Sequence, residues 1–506
     1  MKHREPRGQS PLIAGEIGTL TRRAAIEVVL CYPNSYRVAG SSLGMQVIYR
    51  ALNSRESVAC HRAVLPDGGL QSGLTSLEIA KPLADYDAIC VSIAYELDLA
   101  NLVQMLEISG IPALAAERGP QHPPILVGGP LTSSNALPLG LIADVVVMGE
   151  ADVVVTTLLD WFEAGMDREA IQTHAAQTPG CWVPAVHGDA VPELLSVRDL
   201  DLLPAYGAWH SPLAEFKDMM LVEASRGCPR YCKFCVVRAP VAPMRSPELE
   251  RVIAVLDRPE FEAAPRVGFV GAAVSDWAPI QDALRAAIAR GKQIGISSLR
   301  ADKLDDSFVD LLHQGGYRTL TVASDAPSQR MRGKMMKGLR ERHLVEAAEQ
   351  ARRVGMKQFK MYVILGLPDE TDADVDELID LGQRLSGRVR TALGIAPFVP
   401  KLHTPLAEAP FATIAETTRR LSRVQRALGS RVDVRFDSPR WSWVEYRLSQ
   451  GGIETGHAVV QAARAGANFA AWKAAFADLD RAHPDEERRA AKAAQTHGLW
   501  PLAGAR

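Results

Sequence analysis

The chain has 506 residues, 47% of them hydrophobic and 23% charged, with a formal net charge of -2. That length is too great for one compact core and predicts two or three domains of ordinary globular composition. The near-zero charge excludes a global field favouring nucleic acid or an anionic membrane, and no stretch runs far enough without charge or Pro to span a bilayer.

The opening stretch, MKHREPRGQSPLIAGEIGTL, has basic residues but no apolar h-region, so a cytoplasmic location is expected. Residues 1–22 lack apolar periodicity and are read as an irregular arm. IEVVLCYP is then a buried strand and SSLGMQVIYRALN a helix. DAICVSIAY, PPILVGGP and ADVVVMGE are further strands. ELDLANLVQMLEISG and DVVVTTLLDWF are the helices between and after them. Strands alternating with helices predict a Rossmann-like parallel sheet over residues 23–170. Residues 171–217 are rich in turn signals and are expected to be a linker.

A second alternation follows. MMLVEAS, RVGFVGA, QIGISSL, TLTVAS, KQFKMYVILG and RTALGIAPFV are strand candidates separated by helical segments. Six successive units predict a partial or full parallel β/α barrel over 218–408, with function at the C-terminal ends of its strands. Residues 409–506 are expected to be mostly helical, with a short strand at VDVRFD and an Ala-rich charged tail. The fold class is therefore α/β: a Rossmann-like domain, a barrel core and a helical C-terminal region.

Of the seven cysteines, Cys31, Cys60, Cys90 and Cys181 are scattered, and Cys228, Cys232 and Cys235 are clustered in EASRGCPRYCKFCVVR. A tight cluster in a cytosolic chain indicates metal or redox chemistry more often than a disulfide. Three thiolates at CxxxCxxC spacing can hold three corners of a cubane, leaving one iron open where such clusters usually have four cysteines. Gly227 permits a tight turn and Pro229 fixes φ within the loop. The alternatives are a structural zinc with a distant fourth ligand or unrelated free thiols.

The loop GCPRYCKFC resembles the signature of the radical S-adenosylmethionine superfamily. The resemblance implies a 4Fe–4S cluster on Cys228, Cys232 and Cys235. Its open iron binds S-adenosylmethionine, and one-electron reduction, from a flavodoxin- or ferredoxin-type donor, yields a 5′-deoxyadenosyl radical. Phe234 matches the family's aromatic position near the adenine. Gly271, Ala272 and Ala273 stand where the family has a Gly-Gly-Glu turn, with the Glu absent, so a backbone contact is expected. Ser297, Ser298 and Arg300 fall where a methionine carboxylate or ribose is met. Asp325 takes the place of a Glu, and Ile364 and Gly366 lie on the adenine-contacting strand. Tyr362, His403 and Glu445 are polar residues in plausible places, but no general base is assigned.

The N-terminal half resembles the cobalamin-binding domain fused to such cores, through YPNSYRVAGSSLGMQVIYRALNSR, ILVGGPLTSSNALPL and ADVVVMGEAD. The resemblance covers most of residues 28–476 and implies a cobalamin between the N-terminal sheet and the barrel mouth. Parallel sheets bind ligands at strand C-termini, which assigns Tyr32, Tyr36, Ser41, Ser92, Glu96, Gly128, Gly129, Thr132, Gly149 and Glu150 as candidate contacts. The bland reading of the same residues is a Rossmann-like domain with tight turns and no ligand. The Asp-x-His-x-x-Gly motif is absent, so no histidine from it is expected on cobalt. His61, after a strand and in CHRAVLPD, reads as a surface polar residue, and the lower face of cobalt is expected to carry water, a side chain such as Tyr36 or Arg37, or nothing.

Cobalamin and S-adenosylmethionine together imply a methyltransferase acting on an unactivated carbon of a small-molecule or peptide substrate. The alternatives are a radical enzyme without cobalamin that carries out another C–H modification, rearrangement or cyclisation, or a methylthiolation enzyme with a second cluster on Cys31, Cys60 and Cys90. A non-catalytic iron–sulfur sensor or RNA-binding protein is disfavoured, because it needs no adenine- or ribose-contacting strands and the near-neutral charge supplies no phosphate-binding stripe.

Overall fold

The computed structural model describes residues 8–66, 73–238 and 243–484. The expected helical tail beyond His483 lies almost wholly outside them. The chain divides into two compact units, residues 1–220 with 447–506, and residues 221–446.

The first unit is built on a six-stranded sheet of β1 (Ile26–Ser35), β2 (Val58–Leu65), β3 (Ala88–Ser92), β4 (Ile125–Gly128), β5 (Val145–Val147) and β6 (Cys181–Trp182). The spatial order is β2-β1-β3-β4-β5-β6. Strands β1 to β5 pair in parallel, and β6 closes the edge antiparallel to β5. The order 2-1-3-4-5 is that of a doubly wound sheet whose switch point lies between β1 and β3. β1 reads as one apolar run because the sheet is covered on both faces; Val28, Val29, Leu30 and Cys31 are all at most 2% exposed.

Two elements differ from the sequence reading. The segment containing His61 is the second strand. His61 is fully buried, with Nε2 against the Arg22 carbonyl at 2.8 Å and Nδ1 against the Tyr86 hydroxyl at 2.9 Å. It is therefore not a surface residue. Its neighbour Arg62, 1% exposed, is equally buried, held by Glu78 at 2.6 Å and Glu16 at 2.6 Å and lying 4.1 Å over the Trp209 ring. These charges broke the apolar pattern of the strand, and only their buried partners make it possible. The second difference is that residues 181–182, within the expected linker, supply β6.

Residues 409–506 do not form one region. Residues 409–446 stay with the second unit and residues 447–484 return to the first. There the helix Thr455–Arg464 presents Ala458, Val459, Ala462 and Ala463 as a buried small-residue face. The Ala463 carbonyl accepts from Gln104 at 3.2 Å, and Arg464 pairs with Glu107 at 2.8 Å, so this helix lies along Asp98–Ile108.

The second unit carries β7 (Met219–Ser225), β8 (Arg266–Gly271) and β9 (Gln293–Ile296) in one sheet. β10 (Thr319–Ala323), β11 (Gln358–Leu365), β12 (Thr391–Pro397) and β13 (Val432–Phe436) form the next. β8 and β9 are parallel, as are all pairs from β10 to β13. The seven strands form a partial barrel, with the expected short strand VDVRFD serving as its last stave. Along β11, Phe359, Met361, Val363 and Leu365 are buried, while Lys360, Tyr362 and Ile364 alternate on the less buried face. That period of two sets one side of the sheet against the helices and leaves the other for chemistry. No helix among the described residues is long and apolar enough to cross a membrane.

Candidate active site

The cysteine loop leaves the end of β7. Gly227 has φ of +79°, a conformation that favours glycine. The Cys235 N–H donates to the Cys232 carbonyl at 3.2 Å, closing a turn between the two thiols, and the Lys233 N–H donates to the Met335 carbonyl at 3.1 Å. Cys232 is 8% exposed and the other two are half-buried. Burial pushes the Cys235 thiol up to about 11 and raises that of Cys232, and each of the two also feels the Cys228 charge. The three thiols therefore share one electrostatic environment. Thiolate ligation displaces those protons when metal binds.

Among the described residues, no group of three or more His, Cys, Asp or Glu side chains is gathered at metal-ligating distances. The fit to a cluster therefore rests on the donor set. It offers three thiols on one turn-stabilised loop, which suits a cluster with one open iron better than a four-coordinate zinc.

Of the expected residues at the strand ends that follow, Arg300 and Asp325 act on Cys232, and Ile364 shares an apolar cluster with Phe234. Phe234 and Ile364 pack against one apolar cluster of Ala326, Met331, Met335, Leu367 and Phe398. At the end of β8, a Cβ on Gly271 would lie 2.5 Å from the Ser225 carbonyl oxygen, so the close approach of β7 requires glycine there. Ala272 is exposed in the following turn. Ser297 exchanges hydrogen bonds with the Gly271 N–H and carbonyl at 3.1 and 2.9 Å. Ser298 donates to the same carbonyl at 3.1 Å and accepts from the Val274 N–H at 3.1 Å. Both hydroxyls thus brace the turn.

Arg300 is held by Asp302 at 3.0 Å and donates to the Lys337 carbonyl at 3.3 Å. Asp325 has a left-handed φ of +54° and forms an ion pair with Lys337. Lys337, Asp325 and Arg300 all act on the Cys232 thiol. Gly366 has φ of +86°, and its N–H donates to the Glu370 carboxylate at 3.0 Å. Tyr362 is 45% exposed and accepts from the Lys360 ammonium at 2.8 Å. Its ring covers Gly394, where a Cβ would lie 2.7 Å away. Glu445 pairs with Lys401 at 2.7 Å and His403 has φ of +60°; neither carries a feature that marks it as a base.

Sequence reasoning did not single out Arg230, Asp276, Lys337, Lys360 or Glu370. Asp276 and Lys337 lie close behind motifs that were read, in GFVGAAVSD and QRMRGKMMKG, but a single charge after a turn carries no pattern of its own.

In the first unit, most residues assigned to cobalamin are engaged with their own chain. Tyr32 is 4% exposed, and Tyr36 is 3% exposed and hydrogen-bonded to Glu16. The Ser41 hydroxyl accepts from the Phe216 N–H at 2.9 Å. Ser92 is 7% exposed. Glu96 accepts from Ser134 at 2.9 Å and Ser449 at 3.0 Å. Ile93 donates to the Gly128 carbonyl at 2.9 Å, and a Cβ on Gly129 would lie 2.5 Å from the Ile93 oxygen. Thr132 accepts from the Gly149 N–H at 3.1 Å. A Cβ on Gly149 would lie 2.4 Å from the Leu195 oxygen, and Glu150 accepts from the Val197 N–H at 2.5 Å. Arg37 is exposed but paired with Glu215. The Tyr36, Ser41, Glu96, Thr132 and Glu150 side chains at these strand ends are thus hydrogen-bonded within the chain.

The rival second cluster is not assembled either. Cys60 and Cys90 belong to the same apolar face of the sheet as Leu30, and Cys31, next in β1 to Leu30, points to the other face.

Residues 222–382 match the family described as the radical SAM superfamily, and the span holds the cysteine loop and strands β8 to β11. Residues 222–382 are thus similar to a radical SAM domain. Residues 44–184 match the N-terminal region of radical SAM proteins. An uncharacterized protein of Methanocaldococcus jannaschii is 26% identical over 407 residues, covering 79% of this chain and 83% of its relative. The apo form of the cobalamin-dependent S-adenosylmethionine radical enzyme OxsB is similar in fold, with 14% identity, a TM-score of 0.51, and 72% of this chain and 52% of that chain covered. Its form with aqua-cobalamin and S-adenosylmethionine gives 14% identity and a TM-score of 0.49, over 80% of this chain and 55% of that one. The chain thus spans about half the length of the OxsB chains it matches.

Proposed function

We propose that this radical SAM enzyme abstracts hydrogen from an unactivated C–H bond of a small-molecule or peptide substrate held against the inner face of the barrel. The observation that carries the reading is the convergence of charged side chains from successive strand ends on one three-thiol loop. Bound there, a 4Fe–4S cluster supplies the electron that opens the sulfonium of S-adenosylmethionine.

The chain's own residues do the rest. Cys228, Cys232 and Cys235 would hold the cluster and leave one iron without a protein ligand. Phe234 and Ile364, on one apolar body, offer an adenine a dry surface. Arg300 and the Asp325–Lys337 pair offer opposite charges to a zwitterionic methionine group. Tyr362 and Lys360 face the open side of β11, one and two pleat repeats below Ile364, where a substrate would meet them. Such groups act by orientation, which supplies much of the rate in a radical site. An external one-electron donor is required, and a flavodoxin or ferredoxin is the proposed type.

A second reading is cobalamin-dependent methyl transfer. The fold likeness to OxsB and the match to the N-terminal region of radical SAM proteins favour it. The internally engaged strand ends of the first unit weigh against it, and no step is assigned to cobalamin. Anaerobic reconstitution tests both readings. About four irons per chain and reductant-dependent formation of 5′-deoxyadenosine are expected, and both are lost in the triple Cys-to-Ala variant. Four irons retained in that variant would remove the assignment. Retention of added hydroxocobalamin through gel filtration, with S-adenosylhomocysteine released during turnover, would establish the second reading.

A further inference from the structure

Asp276 closes the turn Val274–Asp276 that follows β8 and its side chain is 4% exposed. A buried carboxylate is stable only when other groups satisfy its charge. Three cations from two other strand ends surround this one. Arg230, between the first two cysteines of the loop after β7, forms an ion pair with its Oδ1. Arg300 and Lys303, after β9, approach at 3.8 Å each. Arg300 is itself fixed by Asp302 at 3.0 Å, and its backbone N–H donates to the Ser275 hydroxyl at 3.2 Å.

Three successive strand ends are therefore tied at one point. The tie has three cations and two carboxylates, so it carries excess positive charge beside a loop whose three thiolates are anionic when metallated. The Arg230 cation acts on Cys228 and the Arg300 cation on Cys232. Asp276 touches none of the cysteines itself; its reach to them runs through the two arginines.

We propose that Asp276 is a positioning residue for the cysteine loop: through Arg230 it fixes the loop's orientation, and through Arg300 it locks that orientation to the β9 end. Asp276 then sets how S-adenosylmethionine is received, without touching it. The proposal rests on the radical SAM reading for its functional consequence but not for the tie itself.

Two measurements test it, on Asp276→Asn, Arg230→Gln, the double variant and Arg230→Lys. The first is amide hydrogen exchange across residues 226–236 in the full-length metal-free chain. The second is the S-adenosylmethionine dissociation constant of the reconstituted enzyme, with iron content measured alongside. Asp276→Asn and Arg230→Gln should each speed exchange in the loop and weaken S-adenosylmethionine binding about tenfold while iron is retained, the usual scale for a group that orients a ligand set. The double variant should be no worse than the poorer single, and Arg230→Lys should recover most of the affinity. Unchanged exchange and affinity in Asp276→Asn, or additive losses in the double variant, would overturn the proposal. If Asp276→Asn does not fold, Arg230→Gln decides alone, since its side chain is 32% exposed and tolerates replacement. If the wild-type enzyme binds no S-adenosylmethionine, the radical reading fails, and loop exchange still upholds or overturns the tie.

Discussion

Lys337 forms an ion pair with Asp325, and the two opposite charges act together on the buried Cys232 thiol. The pair lies after β10, at 11% and 18% side-chain exposure, so water screens it weakly. A cluster held at Cys232 would sit in the field of both charges, so each contributes to its potential.

Removing either charge should shift that potential in opposite directions. Lys337→Met leaves the Asp325 carboxylate uncompensated and should lower the midpoint potential by roughly tens of millivolts, while Asp325→Asn should raise it by a similar amount. Redox titration followed by EPR measures both. Shifts of the same sign in the two variants would show that the pair does not act on the cluster through its charge.

The buried triad of Arg62, Glu16 and Glu78 gives a stability prediction. Burial opposes the Arg62 charge, and Glu78 and Glu16 outweigh it, so the guanidinium stays protonated. Glu78→Gln leaves that cation half-compensated in the core and should cost about 3 kcal/mol. Denaturant unfolding monitored in the first unit should show it; a loss below about 1 kcal/mol, typical of an exposed pair, would mean the triad is solvated.

Asp98 gives a pH dependence. Burial raises its carboxyl to about 6 despite hydrogen bonds from Asn34 and Asn101. A carboxyl raised on folding favours the folded state while protonated, and that contribution fades as pH rises through about 6. Asp98→Asn should therefore stabilise the protein at pH 8, by about 1–3 kcal/mol, and by less at pH 5. Thermal unfolding at the two pH values checks the sign. A variant that is less stable than the wild type at pH 8 would contradict it.

Much of the architecture was legible because apolar runs and turn residues are local signals. β1, β3, β4, β5 and the first six barrel strands stand where their periodicity put them. β2 was read only as far as the residues before His61, because His61 and Arg62 interrupt its pattern, and only Tyr86, Glu16 and Glu78, distant in sequence, make those residues core. The return of residues 447–484 to the first unit was invisible for the same reason: it depends on helix Asp98–Ile108, some 350 residues earlier. At the site, the cysteine loop declares itself by spacing. Asp276, Lys337 and Lys360 do not, because each acquires its meaning only from a partner on another strand end.

The central claim is that the loop of Cys228, Cys232 and Cys235 holds a cluster whose open iron receives S-adenosylmethionine. The most direct measurement is the EPR spectrum of the reduced, reconstituted enzyme before and after saturating S-adenosylmethionine. A 4Fe–4S signal whose g-values shift on addition, and which is absent from the triple Cys-to-Ala variant, is the predicted result. An unchanged signal at saturation, or zinc in place of iron at full occupancy, would contradict the claim.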